Sequence, residues 1–218
     1  MPIRDHNPSN KFPIVTFGII VVNVLIFIQE IASPNIEVFI RTYGLVRTNI
    51  SLSDISTLTN FITAMFLHGG VLHIASNMLF LWVFGDNIEA ALGKIKFLLF
   101  YLVGGVVASL VQLPFTPADV PLVGASGAIA AVLGGYLVLY PKAQIDVLIP
   151  IFFIPTIITV PASFMLIYWF IIQILSGAIS LGIQTESVGG VAFFAHAGGF
   201  LAGVLLINLE RPKRSLSY

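Results

Sequence analysis

The sequence predicts an all-α membrane protein: a bundle of six transmembrane helices with both termini cytoplasmic. Three observations lead there. Of the 218 residues, 57% are hydrophobic and 9% charged, where a soluble domain carries roughly a quarter charged residues. Mean hydropathy is +1.00. Six stretches are apolar enough to cross the ~30 Å hydrocarbon core, which takes about 20 residues per helix. The basic residues, finally, divide unevenly between the connections. One domain spanning residues 1–218 fits this length.

The first span, 14–32, could pass for a secretory signal. It lacks an A-x-A cleavage site and five further apolar stretches follow, so it is expected to stay as an anchor. The connection 33–64 carries Pro34, several Ser and Thr residues, and scattered charges. Spans two, three and four cover 65–84, 96–113 and 123–140. Within 141–160, Ile149-Pro150-Ile151-Phe152-Phe153-Ile154-Pro155 is apolar yet broken by prolines, which remove backbone donors. A lipid-facing crossing cannot leave backbone groups unpaired, which puts 146–160 at the membrane interface. Spans five and six cover 161–182 and 191–209. Six crossings put both termini on one side, with Arg4, Lys11, Lys94, Lys96, Lys142, Arg211, Lys213 and Arg214, eight of the ten basic residues. Only Arg41 and Arg47 lie opposite, so the positive-inside rule makes the termini cytoplasmic.

Composition also excludes. With no cysteine, disulfides, thiolate metal sites and a cysteine nucleophile are ruled out. A formal net charge of zero argues against a nucleic-acid partner.

Spans two, four and six run in the same direction, so polar residues near their starts lie at similar depth. Span two opens with His68-Gly69-Gly70 and continues to His73 and Asn77; span four opens with Gly124-Ala125-Ser126-Gly127; span six contains Ala195-His196-Ala197-Gly198-Gly199. Polar side chains at membrane depth face a bundle interior or a wet cavity. Together they suggest one hydrated pocket open to the external side. His73 and Asn77, four apart, share a helix face. His68 and His73, five apart on a continuous helix, point about 140° away from each other. His68 is therefore expected to hold the preceding loop.

Ser126 at a helix start finds unpaired amide donors that favour an oxyanion. His73 and Asn77 are possible side-chain donors to it, and losing one such donor typically costs ~10²–10³ in rate. His196 is the base that would make Ser126 nucleophilic. No Asp or Glu lies in spans four or six or near His73, so a dyad rather than a triad is expected. Ala128 breaks the G-x-S-x-G pattern of a hydrolase elbow. Taken singly, Ser126 reads as a packing residue and His196 as a packed polar group; only their joint placement with His73 and Asn77 points to chemistry. Gly199 and Gly203 form a small-residue packing face. A metal held by His68, His73 and His196 is disfavoured by the angular mismatch and the lack of a nearby acid.

These residues resemble the rhomboid protease signature: His68 and His73, then Asn77, on span two; G-x-S-G opening span four; A-H-x-x-G on span six. The stretch Phe84-Gly85-Asp86-Asn87-Ile88-Glu89 with Leu92-Gly93 resembles the family's loop after the second span. The likeness covers roughly residues 60–205. It implies a six-helix rhomboid-like core, a Ser–His dyad without cofactor or metal, and cleavage of transmembrane protein substrates in the lipid bilayer. By position, Ser126 matches the nucleophile, His196 the base, and His73 and Asn77 the oxyanion-stabilising pair beside the Ser126 amide. Gly124, Gly127, Gly199 and Gly203 match structural positions. Two positions depart from the pattern. Thr59-Asn60 stand where many members have Trp-Arg, and Ala130 where some carry a Tyr under the histidine, leaving His196 to be held by Phe193 or Phe194. A prokaryotic plasma membrane is the expected location. The rivals are a catalytically silent, client-binding protein on the same scaffold, and a secondary transporter. Transporter sites sit near the midplane with internal repeats, which this chain lacks. Oligomeric state and natural substrate are open.

Overall fold

The structure is a computed structural model and describes residues 1–7, 11–51, 53–152, 154–182 and 191–210. Arg211, Lys213 and Arg214, three of the basic residues that orient the chain, lie outside the described residues. Eight α-helices are described: α1 Ile14–Ala32, α2 Ile36–Tyr43, α3 Ile55–Thr63, α4 Val71–Leu92, α5 Lys94–Gln112, α6 Ser126–Leu139, α7 Ala162–Gly182 and α8 Phe193–Glu210. Five segments, 14–32, 71–92, 94–115, 162–181 and 193–210, are helical, long and apolar enough to cross a membrane. α6 is shorter.

α6 is the axis of the bundle. Its residues Gly127 to Tyr136 are all buried, enclosed by α4, α5 and α8. Its sequence, SGAIAAVLGGYLVL, explains how three helices reach it: small side chains let backbones approach, and in lipid close van der Waals packing is what joins helices. A Cβ on Gly199 would overlap the Gly127 carbonyl oxygen, one on Gly203 the Ala131 oxygen, and one on Gly134 the Phe200 oxygen. On the α5 side Gly104 meets Ala131 in the same way. The large side chains Phe84, Phe97, Tyr101 and Tyr136 fill what remains. The outer faces of α1 and α7 are apolar and exposed, with Leu25, Ile28, Phe164, Tyr168 and Leu175 all more than half uncovered. Such a surface suits hydrocarbon and not water.

A three-stranded antiparallel sheet corrects the all-α expectation. β1 Pro2–Asp5, β2 Gln144–Ile151 and β3 Ile154–Pro161 lie in the order β1-β2-β3. The segment expected as an interfacial connection is thus a hairpin. Its β-branched Ile, Val and Thr residues favour the pleated surface. Its prolines, placed opposite each other at Pro150 and Pro155, forbid helix but not a short strand. Asp5 joins the sheet to the bundle by accepting the Tyr136 hydroxyl and the Asn87 amide, both at 2.7 Å.

The second span also differs from expectation. Residues 64–66 form a 3₁₀ turn, 67–70 a loop, and the helix then runs to Leu92, so Phe84–Glu89 is helix and not a loop. Polar groups there are satisfied inside the protein. Glu89 accepts the Val15 and Thr16 amides at 3.0 and 2.8 Å and the Thr16 hydroxyl at 2.8 Å. It thereby caps the first turn of α1, where helical N–H groups lack intrahelical partners.

The connection 33–64 is ordered by side-chain caps. Asn35 accepts the Val38 amide to start α2, and Asp54 the Ser56 amide to start α3. Asn60 donates to the Gly44 and Thr42 carbonyls. Leu45 and Leu122 exchange two backbone bonds of 3.1 and 2.9 Å, and the Gly124 amide donates to Ala64 at 2.9 Å. These bonds fix the approach to Ser126.

Candidate active site

Ser126 is the first residue of α6. The helix has 14 residues, hence about 21 Å of rise, well short of the ~30 Å core. No side chain among the described residues caps it, which leaves its first-turn amides as available donors. Gly124, two residues earlier, has φ 125°, a conformation that favours glycine. A Cβ there would also lie 3.0 Å from Cε1 and Nε2 of His73 and 3.7 Å from the Ser126 Oγ. The edge of the His73 imidazole therefore faces the backbone immediately before the serine.

His73 sits in the first turn of α4. Its Nδ1 accepts the Gly69 amide at 3.3 Å. An accepting Nδ1 requires the proton of the neutral ring on Nε2, the atom that faces Gly124. His73 is thereby set as a hydrogen-bond donor toward the serine. Asn77, one turn on, is 7% exposed. Its Nδ2 is buried with no partner among the described residues. A buried unpaired donor is costly, and here it lies on the same helical face as His73.

His68 does not belong to α4. The loop 67–70 turns it back so that its ring meets the His73 ring edge-on at 5.1 Å. The 140° separation expected on a continuous helix does not apply. An acid does lie close by: the fully buried Glu30 of α1 accepts the His68 amide at 3.0 Å. Glu30 thus holds the backbone amide of His68 and not an imidazole.

His196 is in the first turn of α8 and 9% exposed. α8 meets α6 at backbone distance where Gly199 faces the Gly127 oxygen, one residue beyond Ser126 and three beyond His196. Gln112 of α5 accepts the Ala195 amide at 3.0 Å and so fixes the start of α8. No Ser126–His196 hydrogen bond forms among the described residues.

The His196 ring is held from α7. Gln173 Oε1 lies 2.6 Å from its Nδ1, and the Trp169 ring packs beside it at 5.7 Å and 34°. Phe194, expected to support the histidine, instead stacks on Phe115 at 3.9 Å. The sequence did carry a signal for Gln173: it is the one amide side chain in span five, 161–182, and polar groups at such positions tend to be functional.

A bundle built on a short central helix, with serine and histidine on facing first turns, defines the class of membrane-embedded rhomboid proteins. The comparisons agree. The family profile named Rhomboid domain matches residues 56–213. RHOMBOID-like protein 4 of Arabidopsis thaliana is 36% identical over 148 residues, covering 67% of this chain and 33% of that protein. The putative rhomboid protease YdcA of Bacillus subtilis (strain 168) is 29% identical over 153 residues, covering 70% and 69%. Rhomboid protease GluP of the same organism is 42% identical over 76 residues, covering 35% and 15%. This chain belongs to the rhomboid family and is an integral membrane protein. It spans about a third of the length of the plant relative. Proteins named mitochondrial are also similar, among them one of Danio rerio at 34% over 154 residues, covering 67% and 36%. A prokaryotic plasma membrane therefore finds no support in the comparisons.

Proposed function

We propose that this chain is an intramembrane serine endopeptidase that hydrolyses peptide bonds in or near transmembrane segments of membrane proteins. In this reading it crosses the bilayer six times, the shorter α6 joining the five longer helices as a crossing, with both termini cytoplasmic and the site open to the external face. The observation that carries it is the convergence on Ser126: His73, with its proton on Nε2, faces the backbone before the serine, while His196 lies across the α6–α8 contact.

In the reaction His196 Nε2 takes the Ser126 proton as Oγ attacks the scissile carbonyl. The resulting oxyanion is held by the Ser126 amide, His73 Nε2–H and the otherwise unpartnered Asn77 Nδ2. His196 returns the proton to the leaving amine. Water, deprotonated by the same base, then hydrolyses the acyl-enzyme. Gly127, Gly199 and Gly203 keep the two helices close enough for this exchange, and His68, through Glu30, holds the loop that sets His73.

The missing Ser126–His196 hydrogen bond favours one second reading, a catalytically silent client-binding protein. Catalytic bonds are often loose without substrate, so that gap does not decide between them. Purified protein with a fluorogenic transmembrane substrate does. Turnover abolished in Ser126→Ala, together with fluorophosphonate labelling of the wild-type serine, supports the protease. Equal turnover in wild type and Ser126→Ala would end that reading, and no turnover or labelling in the wild type would favour client binding.

A further inference from the structure

Resting on that reading, we propose that Gln173 is the positioning residue of His196, a neutral third member that sets which imidazole nitrogen carries the proton. Gln173 and His196 are each 9% exposed, and their Oε1 and Nδ1 are 2.6 Å apart. With the amide oxygen turned to the ring, Nδ1 must donate, which leaves the Nε2 lone pair free for the serine proton. The opposite amide orientation would give the other tautomer and no base at Nε2. Trp169, four residues earlier on α7, covers the ring from the same helical face. Together these two side chains fix both the plane of the ring and the position of its proton.

The choice of an amide follows from the surroundings. A carboxylate would fix the same tautomer and also stabilise the imidazolium, but an ionised group in a membrane interior carries a desolvation cost of several kcal/mol. An amide oxygen supplies orientation without a buried charge. Sequence reading finds no acid to complete a triad because the acceptor here is not an acid.

Three measurements test this on the full-length protein in detergent or liposomes. Nitrogen-15 spectra of His196 in the wild type are expected to show the proton on Nδ1; a ring protonated only on Nε2 would overturn the proposal without any variant. Gln173→Met, similar in length but without a strong acceptor, is expected to lose ~10²-fold or more in kcat with KM within about twofold, since wrong-tautomer losses in a serine protease reach ~10⁴. Gln173→Glu keeps an accepting Oε and is expected to recover most of that loss. Unchanged kcat in Gln173→Met, or a Gln173→Glu as inactive as the methionine variant, would refute it. The Ser126→Ala control separates the two claims: if it alone abolishes turnover, the protease stands and only the role of Gln173 falls.

Discussion

Asn77 and Gly124 make the residue-scale case testable. The Asn77 amide is a buried donor with no acceptor among the described residues. Asn77→Ala is expected to lower kcat by ~10²–10³, the usual cost of one oxyanion donor, with little change in KM and no loss of thermal stability. Removing an unsatisfied donor costs the fold nothing, and steady-state kinetics beside a melting curve checks both halves. Gly124→Ala should fail differently. Its φ of 125° is strained for alanine, and the methyl would press on the His73 ring. Lost activity, with labelling of Ser126 also impaired, is the expected result. At this scale Ser126, His73, Asn77 and His196 were legible as costly polar groups in apolar runs. Glu30 and Gln112 were harder to find, because each lies near a span end and accepts a backbone amide, which no side-chain pattern announces.

Between elements, Glu89 of α4 caps α1 with three hydrogen bonds. Glu89→Ala would orphan two amides and a hydroxyl, and a loss of about 2–3 kcal/mol is expected from the usual cost of such groups, read as a lowered unfolding midpoint. The sheet offers a pH-dependent counterpart. Hydrogen bonds from Thr159 and then His6 hold the Asp146 carboxyl below its ordinary value. A carboxylate depressed in the folded state stabilises above its ordinary value of 3.8, and that contribution fades as pH falls through the lower folded value. Asp146→Asn should therefore destabilise β2–β3 at neutral pH and converge with wild type once pH has fallen through the lowered folded value. Asp5 runs the other way, its burial raising the carboxyl. The long helices and α6 were readable from apolar run length, and their ends fell within a few residues of expectation except in α4, whereas α2 and α3 lie in the stretch expected as a connection. There the apolar run begins in a turn, and the helix continues through polar residues whose partners lie in β1 and α1. The hairpin escaped for a similar reason. A short apolar, β-branched run is ambiguous by periodicity, and its partner β1 lies about 140 residues away in sequence.

For the molecule as a whole, α7 is the least enclosed of the long helices, with 17% of its apolar window buried against 28–50% for the others. It meets the bundle chiefly through α8, and it carries both Trp169 and Gln173. The alignment of the His196 ring therefore depends on a helix bathed mostly in acyl chains. If the proposed protease activity holds, lateral pressure, sterol content and chain order of the host bilayer become inputs to its turnover rate, so that its speed would report on the fluidity of the membrane it occupies.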